Sequence, residues 1–418
     1  DDLDQTTVTT NNSSTSAISI TGANTDLSNI VSTVQIRLQN FDGKTIVTGQ
    51  NQNLAIDAEI PQTSGNGRPI INFETDATSS TSNTISMRII DTNTLNKDTT
   101  AKLAGFKTSD IQIVNIDLTD GIDLITSGNI SGSDLQTINL TGSGNFELAN
   151  STIVGGLGTP VSLTTQSYTG KLTASIDNTS TGLKSISSGS GDDLIEINGA
   201  TTLSPGISIN SGAGNDTLSL TANSDGNSVL LSLDGGLGVD KASFSAGLDF
   251  SLSNFTLTNI EQLEFTGGSD PVKLPSSVVS TKNYEISEKG AGTLSLEIFP
   301  TAQVINLSSL SLDSSIVSGT DTITINGLNF SQALTITGTN IGDTITGTHT
   351  SADNISSGDG NDTINGSDGN DTLTPGNGAD HVTSGMGTDT INLTEVVGAV
   401  DTLNYSIDDG AANVDAVT

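Results

Sequence analysis

Four consecutive nine-residue units near the C-terminus contain the residues with the clearest potential for chemistry. From Ser357 they read SGDGNDTIN, GSDGNDTLT, PGNGADHVT and SGMGTDTIN. Each unit has an aspartate with a glycine two residues before it and an aliphatic residue two residues after it. Glycine permits a turn with positive φ that directs backbone carbonyls toward one point, and the aspartate adds a carboxylate there. An oxygen-only ligand set suits Ca²⁺, whereas zinc and copper favour nitrogen and sulfur.

The spacing of the units predicts which aspartates share a Ca²⁺ ion. Because one unit would form half of a two-strand coil, turns on the same edge should lie two units apart in the sequence. The expected pairs are Asp353 with Asp371, Asp362 with Asp380, and Asp371 with Asp389, and a looser pair is Asp343 with Asp362, whose separation is one residue longer. Stacked carboxylates without a cation would repel one another. The glycines assigned to these sites are Gly358, Gly360, Gly369, Gly376, Gly378, Gly385 and Gly387.

The same Gly-x-Asp-x-apolar core recurs upstream at wider intervals. Asp193, Asp216 and Asp240 follow one another at nearly equal steps, each more than twice the length of one unit. We predict that these three aspartates also bind Ca²⁺, although single aspartates that only form turns would explain them too. Asp123 and Asp321 are weaker candidates of the same kind.

This wider period predicts the fold class. A repeat of roughly 22 to 24 residues without a helical period matches one coil of a parallel β-solenoid. We expect an all-β fold, a right-handed parallel β-solenoid (β-helix) that leads into a β-roll of nine-residue repeats. The predicted segments are a Ser/Thr/Asn-rich β region over 1–105, the solenoid over 106–336, the calcium-binding β-roll over 337–395 and a C-terminal tail over 396–418. The turn-like final residues, DDGAANVDAVT, indicate a fragment of a longer protein.

Composition disfavours several kinds of partner. The 418 residues include 13 Lys+Arg against 47 Asp+Glu, a formal net charge of −34, whereas nucleic-acid binding needs clustered cations. No apolar run approaches the roughly 18 residues of a membrane helix. Aromatic residues make up only 3%, so we expect a core of stacked Ile, Leu and Val instead of an aromatic-anchored one. The absence of cysteine excludes disulfides and thiol catalysis.

Motifs for catalysis are missing. His349 and His381 are the only histidines, and neither H-E-x-x-H nor G-x-S-x-G occurs. Gly43-Lys44-Thr45 is similar to the end of a phosphate-binding loop, but Leu38 stands where that loop needs glycine. We interpret it as a hairpin turn after QIRLQNFD. We therefore predict no enzymatic activity for this chain.

Two resemblances follow from these motifs. Residues 337–395 match G-G-x-G-x-D-x-U-x, with Ser or Pro at the first glycine in several units, and resemble the repeat-in-toxin (RTX) calcium-binding β-roll of Gram-negative type I secretion. The wider aspartate repeat, the strand motif IEQLEFTG, the Thr/Ser/Gly/Asn excess and the missing cysteine resemble the S-layer proteins of that export class. In such proteins a calcium-rich C-terminal solenoid assembles into a two-dimensional lattice, and a separate N-terminal domain holds cell-surface polysaccharide.

The resemblance implies a secreted structural protein of an extracellular cell-surface layer. It would bind several Ca²⁺ ions and self-associate into a two-dimensional lattice, with polysaccharide held by parts outside this chain. Nucleic-acid binding and membrane insertion are not expected. Two alternatives stay open: a calcium-dependent adhesin of the same export class, and a folding module of a secreted enzyme whose catalytic domain lies outside these residues.

Overall fold

Most of the chain is described by a computed structural model. The described residues are 111–119, 121–126, 130–148, 161–165, 167–177, 183–198, 207–221, 230–251, 254–268, 270–290, 293–317, 320–396 and 399–404, with the strands before residue 111 and two short strands, Ile153–Val154 and Ala416–Val417. The chain divides into two compact units. Unit 1 comprises Asp1–Ser219 with Leu230–Asp240, and unit 2 comprises Leu220–Val229 with Lys241–Thr418. The domain boundaries inferred from the sequence stay predictions.

Unit 1 is built from short strands that return repeatedly to three parallel sheets. The first sheet contains Gln5–Thr7, Asn24–Leu27, Thr45–Thr48, Ile70–Phe73, Gly105–Thr108, Ile130–Gly132 and Ile153–Val154. The second contains Ile18–Thr21, Gln35–Gln39, Asn53–Asp57, Thr84–Ile90, Ile113–Leu118, Thr137–Gly142, Val161–Thr164, Leu183–Ser187, Ile207–Asn210 and Leu230–Asp234. The third contains Thr100–Leu103, Asp123–Thr126, Phe146–Leu148, Leu172–Asp177, Leu194–Asn198 and Thr217–Thr221, whose last two residues belong to unit 2.

Alternating burial explains how these coils stack in unit 1. In Ile113–Leu118 every second side chain is buried, as expected for a strand with one face toward a core. Val114 pairs with Ile85 in the preceding coil and with Ile138 in the following coil, and all three are fully buried. Each inward position therefore packs against its equivalents in neighbouring coils. The predicted all-parallel β-solenoid, with coils of about 23 residues, is confirmed.

Unit 2 has the same parallel winding. Five of its strands lie outside the two sheets described next: Lys241–Phe244, Asn254–Thr258, Gln262–Thr266, Glu285–Lys289 and Ser311–Leu312. One seven-stranded sheet contains Val272–Pro275, Ser295–Phe299, Thr322–Asn326, Asp343–Thr346, Thr363–Asn365, His381–Thr383 and Thr402–Asn404. One six-stranded sheet contains Val304–Asn306, Thr335–Thr337, Asn354–Asp359, Thr372–Asn377, Thr390–Ile391 and Ala416–Val417.

The nine-residue units alternate between the last two sheets. Ile364 pairs with Val382 in the seven-stranded sheet, while Ile355 pairs with Leu373 in the six-stranded sheet. Each of these aliphatic side chains is fully buried. The interpretation of one unit as half a coil is therefore confirmed, because equivalent residues two units apart are register partners.

Two expectations about local structure need correction. The strands on either side of Gly43, Gln35–Gln39 and Thr45–Thr48, belong to different parallel sheets, so the hairpin interpretation is wrong. A turn signal marks where a strand ends but does not identify the partner of the next strand. Low aromatic content also conceals a local cluster in unit 2. Phe244 stacks on Phe265 with ring centroids 5.5 Å apart, and Phe250 stacks on Phe255 at 4.2 Å.

Helix is almost absent from the part of the chain that the structure describes. The helix found there is Ser276–Val279, which has four residues. No described helix has the length and apolar character required to cross a membrane.

Candidate metal centre

Aspartates of the nine-residue units form two hydrogen-bonded ladders in unit 2. In each ladder the backbone N–H of one aspartate donates to Oδ1 of the aspartate one coil later, over 2.7 to 3.1 Å. The first ladder comprises Asp343, Asp362, Asp380 and Asp401. The second ladder comprises Asp353, Asp371 and Asp389. The ladders bring together the aspartates that the spacing paired, including Asp343 and Asp362, whereas the sharing of a Ca²⁺ ion by each pair stays a prediction.

The second carboxylate oxygen distinguishes three members of these ladders. Oδ2 of Asp362, Asp371 and Asp380 is buried and has no hydrogen-bond partner, and each residue is only 1% exposed. Burial raises the pKa of Asp371 to about 7, against the N–H of Asp353, and the neighbouring Asp389 raises it further. Burial also raises the pKa of Asp362 to about 6 and raises that of Asp380. A buried carboxylate with an unpaired oxygen is costly, so this arrangement favours a bound cation.

Glycines let consecutive turns approach closely at this site. Gly387 has a φ of 144°, and a Cβ on it would lie 1.5 Å from the carbonyl oxygen of Gly369 in the preceding coil. A Cβ on Gly378 would lie 1.6 Å from the carbonyl oxygen of Gly360. The other predicted glycines would bring a Cβ within 2.4 Å of a backbone atom one coil earlier: Gly358, Gly360, Gly369, Gly376 and Gly385. The motif therefore needs glycine because the backbone itself packs against these positions.

Serine at the first position of a unit is accommodated without loss of the turn. The buried Ser357 hydroxyl donates to the carbonyl oxygen of Pro375, 2.7 Å away and one coil later. The departure from glycine in the motif thus adds a bond between coils.

The fifth position of the units has a role that the sequence interpretation missed. Asn361 Oδ1 accepts the N–H of Ala379 at 3.0 Å, and Asn370 Oδ1 accepts the N–H of Thr388 at 2.8 Å. In these bonds the N–H donor belongs to the later coil, whereas in the aspartate ladders the N–H donor belongs to the earlier coil. The repeated Asn-Asp dipeptides in GNDTI and GNDTL could have indicated this role from the sequence alone.

Asp343 and Asp353 differ from the other predicted ligands. Asp343 Oδ2 accepts the Thr339 N–H at 2.7 Å, and Asp353 Oδ2 accepts the Thr348 N–H at 2.6 Å. Each threonine hydroxyl also contacts the same carboxylate, at 3.1 and 2.9 Å. Because protein groups already satisfy these oxygens, the geometry favours a capping role for both aspartates at the start of their ladders.

Asp193, Asp216 and Asp240 form a third ladder, in unit 1. The Asp193 N–H donates to Asp216 Oδ1, and the Asp216 N–H donates to Asp240 Oδ1, both at 2.8 Å. None of the three residues is more than 2% exposed. Burial raises the pKa of Asp193 to about 7 and that of Asp216 to about 6. The Ser188 hydroxyl close to Asp193 donates its proton to the Ser211 carbonyl oxygen and leaves Oδ2 of Asp193 open.

The two weaker candidates lie in other surroundings. Asp123 is half-buried, and its Oδ1 accepts the Asn145 N–H at 2.8 Å. Asp321 is buried, but Leu294 and Val317 donate their N–H groups to its two oxygens, at 2.8 and 2.6 Å. Neither aspartate has a buried carboxylate oxygen without a hydrogen-bond partner, as Asp362, Asp371 and Asp380 do.

The donor set suits calcium more than other metals. Among the described residues, no group of three or more His, Cys, Asp or Glu side chains converges. An ion at the ladders would therefore take most of its ligands from backbone carbonyls, with few carboxylates. Ca²⁺ accepts such hard oxygen ligands in irregular geometry, whereas zinc and copper require a different set.

The comparisons with known proteins agree with this chemistry. Residues 356–391 match the protein-family model of the RTX calcium-binding nonapeptide repeat (4 copies). The chain contains RTX repeats. We call residues 356–391 the RTX block. Such repeats are calcium-binding motifs and are typical of secreted proteins. No curated protein and no solved structure matches the chain.

Proposed function

We propose that this chain is a structural protein of an extracellular surface layer, whose solenoid becomes ordered outside the cell when the RTX block binds calcium. The observation that supports calcium binding most directly is the open, buried Oδ2 of Asp362, Asp371 and Asp380. These oxygens are buried and accept no hydrogen bond, because the Ser357 hydroxyl beside Asp362 donates to the Pro375 carbonyl oxygen. Protonation or a cation is then required to offset their burial.

The residues that would hold calcium are Asp362, Asp371, Asp380 and Asp389, together with carbonyls of their turns. When bound, Ca²⁺ supplies positive charge between stacked carboxylates. The hydrogen-bond ladders hold the aspartates in register, and the glycines bring consecutive turns together. Asp343 and Asp353 close the start of the two ladders through Thr339 and Thr348.

Calcium dependence also provides a reason for folding outside the cell. Extracellular calcium modules bind with dissociation constants of about 10⁻⁴ to 10⁻³ M, far above cytosolic free calcium. With a net charge of −34, the calcium-free chain repels itself. The chain would therefore remain exportable inside the cell and become ordered outside, and without cysteine it cannot be trapped by oxidation.

Assembly into a layer is supported by the surface that each coil presents. Outward side chains are mostly Ser, Thr and Asn, and like residues meet between coils: Asn139 Nδ2 donates to Asn115 Oδ1 at 2.8 Å. Such surfaces repeat from coil to coil and offer many weak polar contacts. Head-to-tail contacts that do not close generate extended arrays. We propose no catalytic role for the chain.

Calcium titration followed by circular dichroism tests the folding part of the proposal. Asp371→Asn should raise the calcium concentration at the folding midpoint at least severalfold, because it removes charge from a buried oxygen. Asp359→Asn and Asp401→Asn are controls. Asp359 is exposed, and the half-buried Asp401 accepts a 3.1 Å bond from Asp380 at the end of its ladder. Equal midpoints for all three variants would contradict the proposed site.

Cryo-electron microscopy tests the assembly part. In millimolar calcium the chain should form ordered two-dimensional arrays, and removal of calcium should disperse them. A chain that folds with calcium but stays monomeric at high concentration would overturn the surface-layer proposal. That outcome would favour the adhesin or the folding module instead.

A further inference from the structure

The geometry points to a second calcium-binding stack, in unit 1, formed by the turns that end at Asp193, Asp216 and Asp240. It lies outside the RTX block, and its coils are wider than those of the block. The inference does not depend on the surface-layer role.

The first argument comes from the second carboxylate oxygen. Asp193 and Asp216 are 2% and 1% exposed, and Oδ2 of each is buried without a hydrogen-bond partner. The neighbouring hydroxyls of Ser188 and Ser211 donate instead to backbone carbonyl oxygens of the next coil. Elsewhere the chain satisfies such an oxygen itself: Val317 donates to Asp321, and Thr348 donates to Asp353. Those two aspartates lack a glycine four residues before them, whereas Asp193 and Asp216 have glycines both four and two residues before. The open oxygen accompanies a positive φ four residues before the aspartate, which Gly189 and Gly212 provide here and Ser367 provides before Asp371.

The second argument is that the unit 1 turns reproduce the bonds of the RTX block position by position. The Ser188 hydroxyl donates to the Ser211 carbonyl oxygen at 3.0 Å, as Ser357 does to Pro375. Asp192 Oδ1 accepts the Asn215 N–H at 2.8 Å, as Asn361 does from Ala379. The aspartate ladder supplies the third shared bond. Turns with the same internal bonds offer the same ligands.

The third argument concerns charge. At the fifth position of these turns, Asn215 accepts its inter-coil hydrogen bond as well as Asp192 does, so a carboxylate is not needed for that bond. At the sixth position the chain has aspartate in all three unit 1 turns, although burial penalises its charge. Asparagine there would accept the same N–H without the penalty. A cation is the reason for a carboxylate at a place where an amide would suffice.

Carbonyl oxygens complete the set of ligands. A Cβ on Gly214 would lie 2.3 Å from the Gly191 carbonyl oxygen, and a Cβ on Gly238 would lie 1.7 Å from that of Gly214. The turns are thus lined by backbone oxygens beside the aspartates, with no nitrogen or sulfur ligand. This combination selects calcium over transition metals, and over Mg²⁺, which demands strict octahedral geometry.

Tyr168 offers a reporter for the Asp193 end of this stack. It is 1% exposed, its backbone carbonyl accepts the Ser190 N–H at 3.2 Å, and its Cδ1 would lie 3.1 Å from a Cβ on Gly189. The chain has no tryptophan, and its other tyrosines, Tyr284 and Tyr405, belong to unit 2. Tb³⁺ bound in place of Ca²⁺ beside Asp193 should therefore emit when Tyr168 is excited.

The experiment compares two adjacent aspartates in the full-length chain. Asp193→Asn should lose the emission that depends on Tyr168, with at least one calcium equivalent per chain lost by calorimetry. Asp192→Asn makes the same charge change at an exposed residue whose hydrogen bond an asparagine can keep, so both readouts should persist. Tyr168→Phe should remove the same emission without changing bound calcium, whereas Tyr284→Phe and Tyr405→Phe should leave that component intact.

The proposal is overturned if Asp193→Asn and Asp192→Asn behave alike, or if Tyr168→Phe leaves the emission unchanged. The Tyr168→Phe comparison keeps every proposed ligand, so it decides the matter even if Asp193→Asn does not fold. These outcomes test only the unit 1 stack. Calcium binding by the RTX block is tested separately by Asp371→Asn, and assembly into a layer is tested by microscopy.

Discussion

A buried aspartate of the ladders can be neutralised by a proton or by a metal ion, and the two compete for the same oxygen. Burial places the pKa of Asp371 at about 7 and that of Asp362 at about 6, against an ordinary value of 3.8. At neutral pH these groups therefore lie near the point at which the folded chain exchanges protons. Calcium affinity and the stability of the calcium-free chain should both depend on pH, in opposite directions.

We expect acid to stabilise the calcium-free RTX block. Below about pH 4 these aspartates are protonated in both the folded and the unfolded chain, so their burial carries no ionic cost. As pH rises toward 7 the unfolded chain releases protons first, and folding stability falls. In calcium-free buffer, the β signal in circular dichroism should thus be larger at pH 4.5 than at pH 7.5. A β signal that grows as pH rises would contradict the burial of these groups.

The close approach of consecutive turns also predicts how a substitution of a single glycine affects stability. Gly387→Ala places a methyl group against the Gly369 carbonyl oxygen, whereas Gly290 has a similar positive φ, 107°, with nothing within 4 Å of a Cβ. Both variants introduce backbone strain, but only Gly387→Ala adds a clash. In saturating calcium, Gly387→Ala should lower the free energy of unfolding by roughly 2 kcal/mol more than Gly290→Ala. Equal losses would mean that the coils are not packed this closely.

At the scale of elements, aliphatic columns hold the RTX strands together. Leu373 is fully buried between Ile355 and Ile391, its register partners in neighbouring coils. Leu373→Ala should lower the free energy of unfolding by about 2–5 kcal/mol. Leu328→Ala is the matched control, since Leu328 is 46% exposed and should change it by less than about 1 kcal/mol. Urea unfolding in calcium measures both, and comparable losses would argue against the column.

The elements also explain which features of the fold and of the site could be predicted from the sequence. Spacing predicted the register of Asp362 with Asp380, because two-sheet coils of fixed length transmit a sequence period directly into space. The caps from Thr339 and Thr348 were not predictable, because a threonine before an aspartate has no period and is frequent in this composition. Ile18–Thr21 and Asn53–Asp57 both pair in register with Gln35–Gln39, although no repeat is visible over 1–105. Parallel pairing of these strands therefore does not require a repeat that the sequence displays.

At the scale of the whole molecule, the net charge of −34 acts against every folded form of the chain. The 13 Lys and Arg residues make few ion pairs among the described residues; one joins Lys241 Nζ to Glu264 Oε2 at 3.1 Å. At 0.1 M, dissolved salt largely screens exposed charges that are more than about 10 Å apart, but it screens buried groups much less. Screening by salt and specific binding of calcium should therefore affect the folding of the chain differently.

We expect calcium to act as a ligand and not as a screening ion. Circular dichroism should reveal the β signal of the RTX block in millimolar calcium, but not in NaCl or MgCl₂ at matched ionic strength. Sodium only screens surface charge, and Mg²⁺ retains its water shell in irregular sites, so neither should satisfy the buried oxygens of Asp362 and Asp371. Asp371→Asn should weaken the calcium response and leave any salt response unchanged, because the variant alters a buried group. Recovery of the full β signal in NaCl alone would mean that repulsion at the surface, and not the uncompensated charge of the buried aspartates, keeps the calcium-free chain unfolded.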